Sequence, residues 1–139
     1  MIDARCSCGA LVLSLPGPTN RVAACHCIEC QRRTGAPFGV AAFYPAEIVT
    51  ISGVPKEYVR SAASGGKVRF YFCSDCGSTV YWKADNLPSM LGVAVGTIAD
   101  PDFPAPIKSV FERSKHAWVA IDGAGVEHLQ HGSMQKSSG

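Results

Sequence analysis

The sequence has no apolar run approaching the ~18 residues that a membrane-spanning helix requires, so no membrane span is expected. It is short of charge: 17% of its 139 residues are Asp, Glu, Lys or Arg, against ~25% in an average soluble domain. The formal net charge of +2 is too small to imply nucleic acid as an obligate partner. Positions 1–5, Met-Ile-Asp-Ala-Arg, lack the basic stretch and apolar run of an export signal, so a cytoplasmic, reducing compartment is expected. There is no internal repeat and no linker-like segment. With 47% apolar residues the composition argues against disorder, and one domain of ~100–200 residues is the default at this length. That domain is expected over residues 1–131, with 132–139 as a disordered tail because Gly-Ser-Met-Gln-Lys-Ser-Ser-Gly offers no apolar anchor.

Long helices are also excluded. Nine prolines and fourteen glycines interrupt almost every window in which one could form. What lies between them are short stretches rich in Val, Phe, Tyr and Ile, the lengths and residue types of strands. They are 10–15, 38–44, 47–51, 67–72, 78–82, 90–96, 109–112 and 118–121. One short helix is expected near 27–34, ending before Gly35-Ala36-Pro37. The fold class is therefore mainly β, with at most one or two short helical turns.

Cysteine is the residue in excess. There are seven, and an odd number in a reducing compartment points to metal rather than to a closed disulfide framework. Cys6-Ser7-Cys8-Gly9 places two thiols on one side of an extended segment. Cys73-Ser74-Asp75-Cys76-Gly77 is a C-x-x-C knuckle after a strand-like run, with a glycine able to take positive φ. Together the two pairs supply the four thiolates of a closed structural zinc site, whose sulfurs lie ~3.8 Å apart around a metal at ~2.3 Å. Spacing alone leaves open that one pair is ordinary core cysteine, or that a disulfide forms.

The middle cluster, Cys25-His26-Cys27-Ile28-Glu29-Cys30, offers three thiolates within six residues. Three protein ligands leave a fourth position for water or substrate, the pattern of a catalytic zinc. His26 sits between two ligands and would point away if they converged, which makes it a candidate for a supporting or proton-carrying role rather than for ligation. His116 is a remote candidate for the remaining position. Seven thiolates outweigh two divalent ions, so cations nearby are favoured. Arg32 or Arg33 can offset that charge or hold a substrate carboxylate through the planar guanidinium fork. Gln31 and Phe38 are close in sequence and join them as substrate-binding candidates, and Trp82 or Trp118 could line a pocket.

The order C-x-C-G, then C-H-C-x-x-C-Q-R-R-T-G-A-P-F, then F-C-x-x-C-G resembles the glutathione-dependent formaldehyde-activating enzyme family, which includes centromere protein V. The likeness extends to Asp102-Phe-Pro-Ala-Pro and Ser114-Lys-His-Ala-Trp118, and covers about residues 3–122. It implies a β-tent fold of small antiparallel sheets pinned by zinc, with two zinc ions per chain. Cys6, Cys8, Cys73 and Cys76 would hold the structural ion, and Cys25, Cys27 and Cys30 the catalytic one. It further implies a carbon–sulfur lyase acting on a small thiol adduct, with glutathione and formaldehyde in equilibrium with S-hydroxymethylglutathione. The competing readings are a non-catalytic zinc protein that binds a partner, and a thiol or redox sensor.

Overall fold

A computed structural model of the chain describes residues 1–63 and 65–132. Among the described residues the protein is mainly β, with one α-helix and three 3-10 turns. The strands are β1 (Ile2–Arg5), β2 (Val12–Leu15), β3 (Val22–Cys25), β4 (Gly39–Pro45), β5 (Thr50–Ser52), β6 (Lys56–Ser61), β7 (Lys67–Phe72), β8 (Thr79–Ala84), β9 (Met90–Ala94), β10 (Lys108–Val110) and β11 (Glu127–His128). The helix, α1, spans Ile28–Thr34. From position 133 onward the expected tail lies outside the described residues. No helix among the described residues is long and apolar enough to cross a membrane.

The chain divides into two compact units. The first comprises Met1–Thr19 and Ala42–Phe103. In it β1, β2 and β5 form a small antiparallel sheet in the order β1-β2-β5. Alternation decides which face is covered: Leu13 and Leu15 of β2 are fully buried, as is Ala4, the partner of Leu13 on β1. Strands β6 to β9 run side by side and antiparallel. Their core is Val68, Phe70, Val80, Tyr81, Leu91 and Val93. Gly92 pairs with Trp82, and a Cβ at position 92 would overlap the Trp82 indole. Trp82 is thus a packing residue of this sheet. Between Tyr71 and Phe72 the register with β8 shifts, one residue before Cys73. The extra residue is Val80 of β8, which leaves the ladder one place out of step as it reaches the cysteine loop.

The second unit comprises Asn20–Ala41 and the chain from Pro104 on. Here β10 lies between β3 and β11, and both pairings are parallel, with Val110 opposite Cys25 and Ser109 opposite His128. The antiparallel pairing expected throughout therefore holds in the first unit and gives way in the second. The reason is connectivity: more than eighty residues separate β3 from β10 in the chain, ample for the crossover that parallel neighbours need.

Other expectations also shift. The run 47–51 begins as the 3-10 turn Ala46–Ile48, closed by the Val49 N–H donating to the Ala46 carbonyl, before β5 starts. The run 118–121 forms no strand, because the Val119 N–H donates to the His116 carbonyl and closes a turn. Strands β1, β3, β6 and β11 carry no long apolar run; every residue of β6 except Arg60 is exposed, so no alternation announces it.

Candidate metal centres

The four thiols Cys6, Cys8, Cys73 and Cys76 of the first unit converge, with their Sγ atoms all within 4.8 Å of one another. Cys6 and Cys8 are 3.7 Å apart and Cys8 and Cys73 are 3.6 Å apart, sulfur to sulfur. These separations are far longer than a disulfide at ~2.05 Å and match the ~3.8 Å edge of a tetrahedral zinc–thiolate site. The two knuckles are built alike. Gly9 and Gly77 have φ of 81° and 79°, and each donates its N–H back to the first cysteine of its pair, Gly9 to the Cys6 carbonyl and Gly77 to the Cys73 carbonyl. Cys6 and Cys73 then donate their own N–H groups to Leu11 and Ser78, closing each loop. Ser7 and Ser78 tie the loops together: the Ser7 N–H donates to Ser78 Oγ at 3.2 Å, and the two hydroxyls are 3.1 Å apart.

The proton balance of this group suits a cation. Hydrogen bonding with the Ser78 side chain and the Ser78 main-chain N–H brings Cys76 down to about 5. Burial opposes ionisation of Cys6, but the Leu11 N–H, donating to its sulfur at 3.2 Å, and the thiols of Cys73 and Cys8 lower its value on balance. The Ala10 N–H pulls Cys8 down, yet the sulfur of Cys73, burial and Cys6 together push it up to about 12. Some of these thiols ionise readily and the others hold protons on their account, a donor set chemically suited to exchanging protons for a metal ion.

The second unit holds the other cluster. Cys25, Cys27 and Cys30 also keep their Sγ atoms within 4.8 Å, and all three are half-buried. Cys25 is the last residue of β3, Cys27 is the N-cap of α1 and Cys30 lies in its first turn. The Cys27 sulfur accepts the Cys30 N–H at 3.3 Å, so a thiol occupies the place where Ser or Asp usually caps a helix. Hydrogen bonds with Cys27 and Cys30, together with burial, raise Cys25 well above the usual thiol range. Cys30 reaches about 11: its bond with Cys25 lowers it, while Cys27 and burial raise it further, and Arg33 pulls in the favourable direction. Among the described residues no fourth His, Cys, Asp or Glu side chain joins the group. The donor chemistry of both clusters, thiols crowded at tetrahedral spacing, fits zinc.

His26 points away from its flanking cysteines, as its position between them requires. The residue is fully buried, with Nε2 2.8 Å from Ser109 Oγ and its ring 5.5 Å from that of Phe38. Burial holds it below the usual histidine value, in the neutral form. Nδ1 is buried with no hydrogen-bond partner among the described residues. The backbone of His26 is held as firmly as its ring. Its N–H donates to the Val110 carbonyl at 3.0 Å, and its carbonyl accepts from Ser114 Oγ at 2.8 Å and Gln31 Nε2 at 2.9 Å. Anchoring residue 26 sets the positions of residues 25 and 27 on either side.

The remaining candidates fall into place around this anchor. Phe38 packs against His26. Arg33 reaches Gly39: a Cβ there would lie 2.6 Å from Arg33 Nη2 and 3.7 Å from the Cys30 Cβ, so the missing side chain is what admits a guanidinium beside Cys30. Gln31 donates to the carbonyls of His26 and Ser114, while its Oε1 lies 3.2 Å from His116 Nε2. Arg32 lines a surface cavity of about 500 Å³, together with Ile28, Gln31, the turn 35–37 and His116. Trp118 is 75% exposed, edge-on to the His116 ring. Ser109 and Ser114 were not foreseen as site residues. The only sequence signal for Ser114 was its place in the Ser114-Lys-His-Ala-Trp118 resemblance, and for Ser109 there was none.

Comparison with known proteins follows the same lines. The family model for glutathione-dependent formaldehyde-activating enzyme matches residues 1–114. The crystal structure of a Rhodobacter sphaeroides protein, a structural genomics target, is similar with a TM-score of 0.55. It is 21% identical, over 72% of this chain and 92% of that one, and at such identity the likeness speaks to the fold alone. No curated protein matches.

Proposed function

The chain belongs to the glutathione-dependent formaldehyde-activating enzyme family, and on that premise we propose that it is a zinc-dependent carbon–sulfur lyase of a reducing, cytoplasmic compartment. Its substrate is a small thiol adduct, with glutathione and formaldehyde interconverting with S-hydroxymethylglutathione. The observation that carries this reading is the three-thiol cluster: Cys25, Cys27 and Cys30 are half-buried, within 4.8 Å of one another, and lack a fourth partner among the described residues.

In this reading Cys6, Cys8, Cys73 and Cys76 hold one zinc ion for architecture, and Cys25, Cys27 and Cys30 hold a second with a place left for substrate. A zinc ion at the three-thiol cluster would supply Lewis acidity, favouring the thiolate form of a substrate thiol and polarising a carbonyl oxygen. The protein's own residues do the rest. Cys27 keeps its sulfur oriented through the Cys30 N–H. Arg33 offsets part of the negative charge that three thiolates bring. The planar fork of Arg32, at the cavity, suits a carboxylate such as those of glutathione. His26, neutral and buried, positions the loop without taking part in chemistry.

Cobalt substitution tests the reading. Cobalt-loaded protein titrated with glutathione should change its thiolate-to-metal absorption, and zinc-loaded protein should accelerate formation of S-hydroxymethylglutathione from glutathione and formaldehyde. Two bound metals with no spectral response to any thiol, and no rate effect, would replace this reading with the non-catalytic or redox-sensing one.

A further inference from the structure

Gln31 has a side-chain amide whose two ends are chemically distinct, and its surroundings decide which end is which. Two main-chain carbonyls, those of His26 and Ser114, lie 2.9 and 3.0 Å from Nε2. Carbonyl oxygens only accept, so the amide NH2 must face them and Oε1 must face the other way. It faces His116 Nε2 at 3.2 Å. An amide oxygen also only accepts, so this ring nitrogen carries a hydrogen and donates it. A neutral imidazole has one N–H, which leaves Nδ1 of His116 with a free lone pair. The ring is further held edge-on by Trp118, with centroids 6.0 Å apart, and its carbonyl closes the turn to Val119. His116 lines the cavity beside Gln31 and Arg32, and the Gln31 amide that faces it is bonded at its other end to the carbonyl of His26, the residue between Cys25 and Cys27. This is the arrangement of a base oriented by a partner on its far nitrogen, with an amide in place of the usual carboxylate.

We propose that His116 is the proton-carrying residue of the carbon–sulfur step, its Nδ1 exchanging the hydroxyl proton of a thiol–formaldehyde adduct while Gln31 holds Nε2. The inference rests on the lyase reading above. In the direction of cleavage, the adduct's O–H proton passes to Nδ1. The electron pair of that O–H bond becomes the second carbon–oxygen bond of formaldehyde, and the carbon–sulfur pair departs on sulfur as thiolate. The products are formaldehyde, a thiolate and an imidazolium. In synthesis the imidazolium returns the proton to the oxygen as sulfur adds to carbon. No oxidant or further reactant is consumed.

The test has a spectroscopic arm and a kinetic arm, both on the zinc-loaded full chain. Long-range ¹⁵N–¹H correlation should show His116 almost wholly as the Nε2–H tautomer, and Gln31→Ala should relax it to the mixed tautomers of free histidine, in which Nε2–H is only the majority form. A wild-type His116 in the Nδ1–H form overturns the proposal. His116→Ala should lower kcat for cleavage of S-hydroxymethylglutathione by about 10²-fold or more, with KM within about threefold, and added imidazole should restore part of the rate. His116 is exposed, so the variant should fold and melt as the wild type does. An active wild type with an equally fast His116→Ala overturns this proposal alone. A wild type that cleaves no adduct overturns the lyase reading and this proposal with it.

Discussion

The Cys27 sulfur accepts the main-chain N–H of Cys30 at 3.3 Å. One atom therefore begins the helix and belongs to the three-thiol cluster, so a metal held there would be coupled to helix stability at that residue. Serine retains a capping oxygen where alanine retains none. Cys27→Ser should keep the fold and lose metal and activity at this cluster. Cys27→Ala should lose the same function and melt lower, by about 1 kcal/mol of stability. Equal melting of the two would show that the sulfur does not cap.

The four-thiol cluster should behave differently. Cys73 is buried, and it follows the β7–β8 register shift into a loop held by the Ser78 carbonyl. Removing one thiol from a closed structural site removes folding free energy directly. Cys73→Ser should give insoluble protein or a melting transition far below that of Cys27→Ser. The opposite order in thermal melts would reverse the roles assigned to the two clusters.

Zinc affinity should fall with decreasing pH at both clusters. Cys8 and Cys30, pushed up to about 12 and about 11 without metal, are protonated at neutral pH and must release protons to bind it. Acid favours the protonated, metal-free side of that exchange, so each displaced proton weakens binding about tenfold per pH unit. Calorimetry of zinc binding in buffers of different ionisation enthalpy counts the protons released. A buffer-independent enthalpy would contradict the mechanism.

Arg33 should matter through charge. Its guanidinium sits beside Gly39 and lowers the Cys30 value. Arg33→Gln should weaken zinc at the three-thiol cluster by about 2- to 10-fold at low salt, and less at high salt because mobile ions screen the lost attraction. Metal competition with a chromophoric chelator reads this out. Unchanged affinity would mean that the charge is spent elsewhere.

The pairing of Gly92 with Trp82 supplies a stability prediction remote from metal. Gly92→Ala forces its Cβ into the indole and should cost about 1–3 kcal/mol in urea unfolding, with a shifted tryptophan emission. Gly96→Ala, where a Cβ meets open space, serves as the control and should cost far less.

Chemistry written in short, local patterns was legible in the chain. The grouping of Cys6/Cys8 with Cys73/Cys76, and of Cys25/Cys27/Cys30, followed from counting and spacing, because short cysteine loops are local structures with few ways to aim their thiols. The short helix after Cys27 and the strand at 67–72 followed from turn residues and β-branched or aromatic runs in the same way. His26 could be expected to face away from its flanking cysteines, since neighbours in an extended segment point to opposite sides.

Long-range placement was beyond such reading. Nothing local announces that Ser109 meets the His26 ring, that Ser114 and Gln31 share the His26 carbonyl, or that Gln31 presents its oxygen to His116, because each contact joins segments more than eighty residues apart or depends on one that does. The parallel seating of β10 on β3 brings these groups together, and hydrogen bonds to main-chain atoms leave little trace in residue type. Which sulfurs can gather is local chemistry; which side chains surround them is settled by strands that meet from opposite ends of the chain.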